Sequence, residues 1–177
     1  MKSAQKGFTL VELIIAVSIM ALTSTAAGAA IFQVMRNIDI NNDYVVVVNQ
    51  VENAGYWISR DAQMATNIST DNLTPPYFLV IDWAEWDAAG DPTYHSASYF
   101  FEGLANGVGR LKRTHSGGGA NQTTLVATYI YYNPGDNITS SASYISPLLT
   151  LKLTSRLEKA TETKEYKINQ RINLITQ

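Results

Sequence analysis

Twenty consecutive residues, Leu13 to Phe32, carry no formal charge, and this stretch limits what the chain can be more than any other feature. As a helix it measures about 30 Å, the thickness of a bilayer's hydrocarbon core. The segment is therefore long enough to span a membrane. Lys2 and Lys6 precede it with no acidic residue before Glu12, and Arg36, Asp39 and Asp43 follow it. Because positive flanks stay cytoplasmic, the bulk of the chain is expected to face outward. The small residues Ser24 to Ala30 also suit a signal-peptidase region, which would leave a terminus near Ala30. Two features oppose that reading. Glu12 puts a carboxylate into the apolar region, on the order of 2.5–3.5 kcal/mol against insertion. Apolar character also runs past the supposed cut through Ile31, Phe32, Val34 and Met35. An ionisable residue in such a place has a function by default.

Composition narrows the functions further. With 13 Lys+Arg against 15 Asp+Glu the formal charge is −2, so the chain exerts no general pull on nucleic acid, which is not expected as a partner. The absence of cysteine removes disulfides, thiolate zinc sites, iron–sulfur clusters and a cysteine nucleophile. His95 and His115 lie in loop-like contexts with no metal-ligand spacing, and no G-x-S-x-G elbow accompanies them. The reading is a non-enzymatic chain without a cofactor.

The segment Lys6-Gly7-Phe8-Thr9-Leu10-Val11-Glu12-Leu13 resembles the cleavage and methylation site of type IV prepilins and type II secretion pseudopilins. In that family a short basic leader ends in glycine, phenylalanine usually follows, and a glutamate stands at the fifth mature position. The resemblance covers about the first thirty residues. It implies cleavage by prepilin peptidase between Gly7 and Phe8 and methylation of the new Phe8 amino group. It also implies that Glu12 sets a subunit's register against its neighbour in a fibre. A carboxylate in hydrocarbon is tolerable when a cation meets it, and the Phe8 amine of an adjacent subunit is such a cation. A helix that merely anchors a monomer, with Glu12 snorkelling toward the interface, is the competing reading.

Helical spacing continues beyond the span, because Val48, Val51, Gly55, Ile58, Ala62 and Ala65 recur every three or four residues. Asn49, Gln50, Glu52, Asn53, Arg60 and Asp61 fall on the complementary, polar side. One helix from Phe8 to Ala65 would be about 85 Å long. Val45–Val48 is a poor helix run and can loosen it. Thr23–Gly28 is a second weak stretch, and because subunits of the family it resembles often unwind part of the membrane half when packed, local melting there is expected in an assembled fibre. After Asn67 the period changes. Residues 77–81, 98–101, 108–112, 125–132, 148–153 and 166–174 read as strands between glycine, proline, asparagine and serine clusters, with a turn at Glu158–Glu162. Leu149, Leu151 and Leu153 alternate with polar residues, which gives one buried and one wet face. The expected fold is α+β: a long N-terminal helix, half in the membrane and half amphipathic, packed on a C-terminal antiparallel sheet. Its divisions are 1–7 leader, 8–35 membrane and assembly half, 36–66 amphipathic half, and 67–177 sheet domain.

Further along, Arg60-Asp61 followed by Tyr99, Gly103 and Gly109-Arg110-Leu111-Lys112-Arg113 is similar to minor pseudopilins of the J class and related minor pilins. Asp82, Glu85, Asp87 and Asp91 crowd one segment with Trp83 and Trp86. Four carboxylates can hold calcium, which takes six to eight oxygen ligands, although the spacing is not that of a calcium loop and a solvated acidic turn fits equally. The two tryptophans form either a contact surface or core beneath the sheet. Arg110 and Lys112 share one strand face, with Arg113 and His115 close by, and suit an acidic neighbour, DNA phosphates or plain solvent. Gly117-Gly118-Gly119 lacks the lysine of a phosphate loop and reads as a flexible hairpin tip.

Taken with the resemblance, these features imply a structural subunit, a minor pilin or pseudopilin of a type IV pilus or type II secretion-like filament. Its partners would be other subunits through the N-terminal helix, prepilin peptidase, the inner-membrane assembly platform and the membrane. It would sit in the cytoplasmic membrane with its N-terminus inside, then enter an extracellular or periplasmic filament. A major pilin forming the filament bulk and a non-polymerising, membrane-anchored extracellular binding domain are the alternatives.

Overall fold

In the computed structural model the described residues are 7–71, 73 and 76–170. Lys2 and Lys6 of the expected leader, and Ile172 and Leu174 of the expected last strand, lie outside them. Helix α1 runs Leu10–Met64 without interruption, through both stretches expected to weaken it. Thr23 and Thr25 donate their hydroxyls to the Ile19 and Ala21 carbonyls at 3.0 and 2.8 Å. Their polar groups are thus satisfied inside the helix instead of competing with its ladder. In the valine run, Val47 is fully buried. Burying a valine is worth about 1.5–3 kcal/mol, more than the helix-propensity deficit of under about 1 kcal/mol.

The chain divides into two units, Met1–Asn42 and Asp43–Gln177. In the first, every described residue from Gly7 to Asn42 is exposed, and the helix is long and apolar enough to cross a membrane. In the second, α1 from Asp43 onward packs on a sheet of β1 (Asn67–Ser69), β2 (Tyr77–Trp86), β3 (Pro92–Ala105), β4 (Val108–Ser116), β5 (Gln122–Tyr131), β6 (Ser141–Ile145), β7 (Leu148–Leu157) and β8 (Ala160–Asn169). The order is β1-β2-β3-β4-β5-β7-β6, with β8 also paired to β7. All these pairings are antiparallel, and β5 meets β7 at one pair, Ile130 with Ser155. The short strands β1 and β6 were not legible from the pattern. The turn before β8 is Glu158–Lys159 alone, since pairing resumes at Ala160 with Leu157.

The core lies between the helix and one face of the sheet. Val51, Ala54, Ile58, Ala62 and Ala65 meet Leu79, Ile81, Tyr99, Phe101, Leu111, Ile130, Leu149, Leu151 and Leu153. Three residues expected on the polar side of α1 instead serve the sheet. Gln50 Oε1 accepts the Thr128 N–H at 2.6 Å, Asn53 donates to the Val126 carbonyl at 2.5 Å, and Asp61 is fully buried. Because β5 has so little of β7 beside it, side chains from the helix satisfy its backbone. Gly55 has a different purpose. A Cβ there would run into the Tyr166 ring, whose hydroxyl donates to the Val51 carbonyl at 3.2 Å. The glycine lets β8 close on the helix backbone, and burial together with the Glu52 carboxylate raises the pKa of Tyr166.

Candidate functional site

The helix start is the first candidate. Gly7 and Phe8 precede α1 outside any helix or strand, and Phe8 is 90% exposed. Thr9 takes the N-cap position and Glu12 the third helical one. The Glu12 Oε2 accepts both the Thr9 backbone N–H and its hydroxyl at 2.9 Å, while the Glu12 N–H approaches Thr9 Oγ1 at 3.3 Å. This is a capping box: two helix-end donors are satisfied reciprocally, and the acidic group faces the positive end of the helix dipole. The T-x-x-E spacing announces it in the sequence. The carboxylate therefore has a partner within its own chain, and cleavage after Gly7 would leave a free amine on Phe8, four residues before it.

The acidic segment does not converge. Asp82 lies on the outer side of β2 and accepts from Asn67 Nδ2 at 3.3 Å. Three residues on, by the period-two alternation of a strand, Glu85 points to the other side, where it accepts the Trp83 indole N–H at 3.2 Å. Asp87 caps its own turn through the Ala89 and Asp91 amides at 2.9 and 2.8 Å. Among the described residues there is no cluster of three or more histidine or acidic side chains able to hold a metal. The two tryptophans part in the same way. Of the two readings, contact surface or core, Trp83 takes the core at 5% exposed and is no interaction surface, whereas Trp86 is 63% exposed and flanks the exposed Tyr94 on the outer face.

Alternation also divides the basic strand. Arg110 and Lys112 face outward, and Glu102 takes Lys112 at 2.7 Å and Arg110 at 3.9 Å. Arg113 and His115, expected beside them, turn inward. Arg113 makes a two-pronged bond to the buried Asp61, Nε to Oδ2 at 2.6 Å and Nη2 to Oδ1 at 3.0 Å. The Tyr99 hydroxyl donates to the same Oδ2 at 2.6 Å, and the Trp57 ring lies 5.4 Å from the guanidinium. Burial opposes the Arg113 charge, yet the hydrogen bonds and charge of Asp61 outweigh it and raise its pKa. Burial first, then the Asp61 charge, raises the pKa of Tyr99. This cluster ties α1 to β3 and β4 through charge-assisted bonds that exclude water.

Beside these geometries stand the comparisons with known proteins. The family model of the prokaryotic N-terminal methylation motif matches residues 2–28. The match supports a type IV pilin-like protein. The long helix on an antiparallel sheet is accordingly an α+β, pilin-like fold. The motif points to a structural subunit rather than a catalytic protein, and with the apolar helix it fits membrane anchoring before assembly. No curated protein and no solved structure matches the chain.

Outside the matched segment the chain holds residues whose surroundings the sequence pattern does not report. The helical spacing puts Asp61 on the polar side of α1, yet it is fully buried. Its partners lie 38 and 52 residues away, and no local period reports them. His95 and His115, read as loop residues, sit on β3 and β4 and face the helix side of the sheet.

Proposed function

We propose that the chain is a minor pilin or minor pseudopilin, most like the J class, built into a type IV pilus or type II secretion-like filament. The observation that carries this reading is the bare first unit. From Gly7 to Asn42 none of the described residues covers Phe8, Leu10, Ile14, Val17, Met20 or Phe32. An apolar surface of that extent belongs in hydrocarbon or against its like. The membrane covers it before assembly, and the same segments of neighbouring subunits cover it in the filament.

In this reading residues 1–7 are the leader, 8–35 the membrane and assembly half, 36–66 the amphipathic half and 67–177 the sheet domain. Prepilin peptidase cuts between Gly7 and Phe8 on the cytoplasmic side, and the Phe8 amine is methylated. The Thr9 bonds fall on Glu12 Oε2, which makes Oε1 the oxygen that meets a neighbour's amine. The capping box keeps the carboxylate partnered until that amine arrives. Partners are other subunits, the peptidase and the inner-membrane assembly platform. Trp86, Arg110 and Lys112 lie on the outer sheet face open to them.

Mass spectrometry of the protein from its own host tests the pathway. A chain that begins at Phe8 and carries one added methyl group is expected. A chain that keeps Met1, or begins near Ala30, overturns it.

A further inference from the structure

Trp83, Glu85, His95 and His115 come from three adjacent strands and share the helix-facing side of the sheet, at the end bearing the β2–β3 and β4–β5 turns. The planes of the two imidazoles lie within 9° of parallel, with His95 Nδ1 3.2 Å from His115 Nε2. Trp83 stacks with both, at centroid distances of 5.3 and 5.4 Å. Glu85 accepts the Trp83 indole N–H with one oxygen and places the other 3.7 Å from His95 Nε2. The His95 side chain is 11% exposed. The turn closes directly over it, because a Cβ on Gly117, at φ +121°, would meet His95 Nδ1 at 2.7 Å. Gly117 is therefore a packing requirement and not only a flexible tip.

The protons can be counted. Two neutral rings hold one hydrogen each on nitrogen, and the 3.2 Å contact needs one hydrogen between the facing nitrogens. Glu85 favours a hydrogen on His95 Nε2, so His95 Nδ1 is the acceptor and His115 Nε2 the donor. One added proton goes to His115 Nδ1 and leaves that bond intact. A second must enter the facing pair, where it sets N–H against N–H and puts two cations side by side. The charged groups around the pair are Asp61 from α1, Glu85 from β2 and Arg113 from β4. Arg113 is already engaged with Asp61.

We propose that His95 and His115 form a paired proton site, closed with no added proton or with one and opened by the second. It is an acid-sensitive clasp between β3 and β4 that frees the end of the sheet carrying the exposed Trp86 and Tyr94. Burial, then the charges of Arg113 and His95, holds the His115 pKa below its ordinary value of 6.5. The unfolded chain therefore takes up that proton at a higher pH than the folded one. The stability linked to His115 is complete above pH 6.5 and is lost as pH falls from there through the folded value, and the clasp itself opens only at the second step, below it.

The chain has two histidines, so the test is direct. Full-length protein made without a histidine tag, labelled with 15N-histidine and held in detergent micelles, is titrated from pH 8 to pH 4. Imidazole and tryptophan indole resonances are followed. The expected result is two coupled steps separated by more than about one pH unit, with the Trp83 indole signal shifting at the second. His115→Gln should reduce this to one His95 step with no later event at Trp83. Two independent single-site curves with Trp83 unmoved would overturn the clasp. So would a His95 titration that His115→Gln leaves unchanged. If His115→Gln does not fold, the number of steps in the unsubstituted protein decides alone.

Discussion

Replacement of Asp61 by alanine exposes the most consequential interaction in the sheet unit. The carboxylate is fully buried and holds Arg113 at 2.6 and 3.0 Å and the Tyr99 hydroxyl at 2.6 Å. Removal of one partner of a buried ion pair costs about 3–5 kcal/mol, because the other charge stays behind in a medium that cannot solvate it. An orphaned buried hydroxyl costs about 1–3 kcal/mol by itself. The two losses share one atom and do not add in full, so the expectation for Asp61→Ala is about 4–5 kcal/mol. In a unit of this size that lowers the melting temperature by about 12–20 °C. The assay is thermal unfolding of the full chain in mild detergent, followed by near-ultraviolet circular dichroism, since far-ultraviolet signal is dominated by the 55-residue helix. The companion variant removes the whole cluster: Asp61→Leu, Tyr99→Phe and Arg113→Met together. With no charge or hydroxyl left to desolvate, it should return to within about 1–2 kcal/mol of the parent. The reasoning is refuted if Asp61→Ala costs less than about 1 kcal/mol, or if the triple variant is as unstable as the single one.

Other expectations follow from single contacts. Gly55→Ala should destabilise by about 1–3 kcal/mol through overlap with Tyr166. In a Tyr166→Ala background the same change should stabilise by up to about 1 kcal/mol from helix propensity; urea midpoints that shift the same way in both backgrounds would contradict the packing account. Trp83→Ala should cost about 3–5 kcal/mol and Trp86→Ala within about 0.5 kcal/mol, read from the same melting curves. Thr9→Val should speed amide exchange in the first helical turn while filament yield holds, whereas Glu12→Ala should remove the subunit from sheared filaments. Equal filament yields from the two variants would reduce Glu12 to a cap.

What the sequence determined by itself is what depends on neighbours along the chain. An uncharged stretch of bilayer length, the Thr9–Glu12 spacing and the change of period after Asn67 each act through neighbours along the chain. The long helix, its start and most strands were therefore legible, as was the outward direction of Arg110 and Lys112 by alternation. Tertiary structure decided everything that needs a partner distant in sequence. Asp61 looks like solvent-facing helix until Arg113 arrives on β4, and Gly55 looks like a weak helix position until Tyr166 arrives on β8. Trp83 and Trp86 are indistinguishable by composition, yet the odd number of residues separating strand faces buries one and exposes the other. His95 and His115 become a pair because β3 and β4 stand in one register. The physical reason is common to all four. Desolvation and hydrogen bonding are set by what surrounds a group in space, and a periodic pattern tells which way a side chain points but not what it will meet.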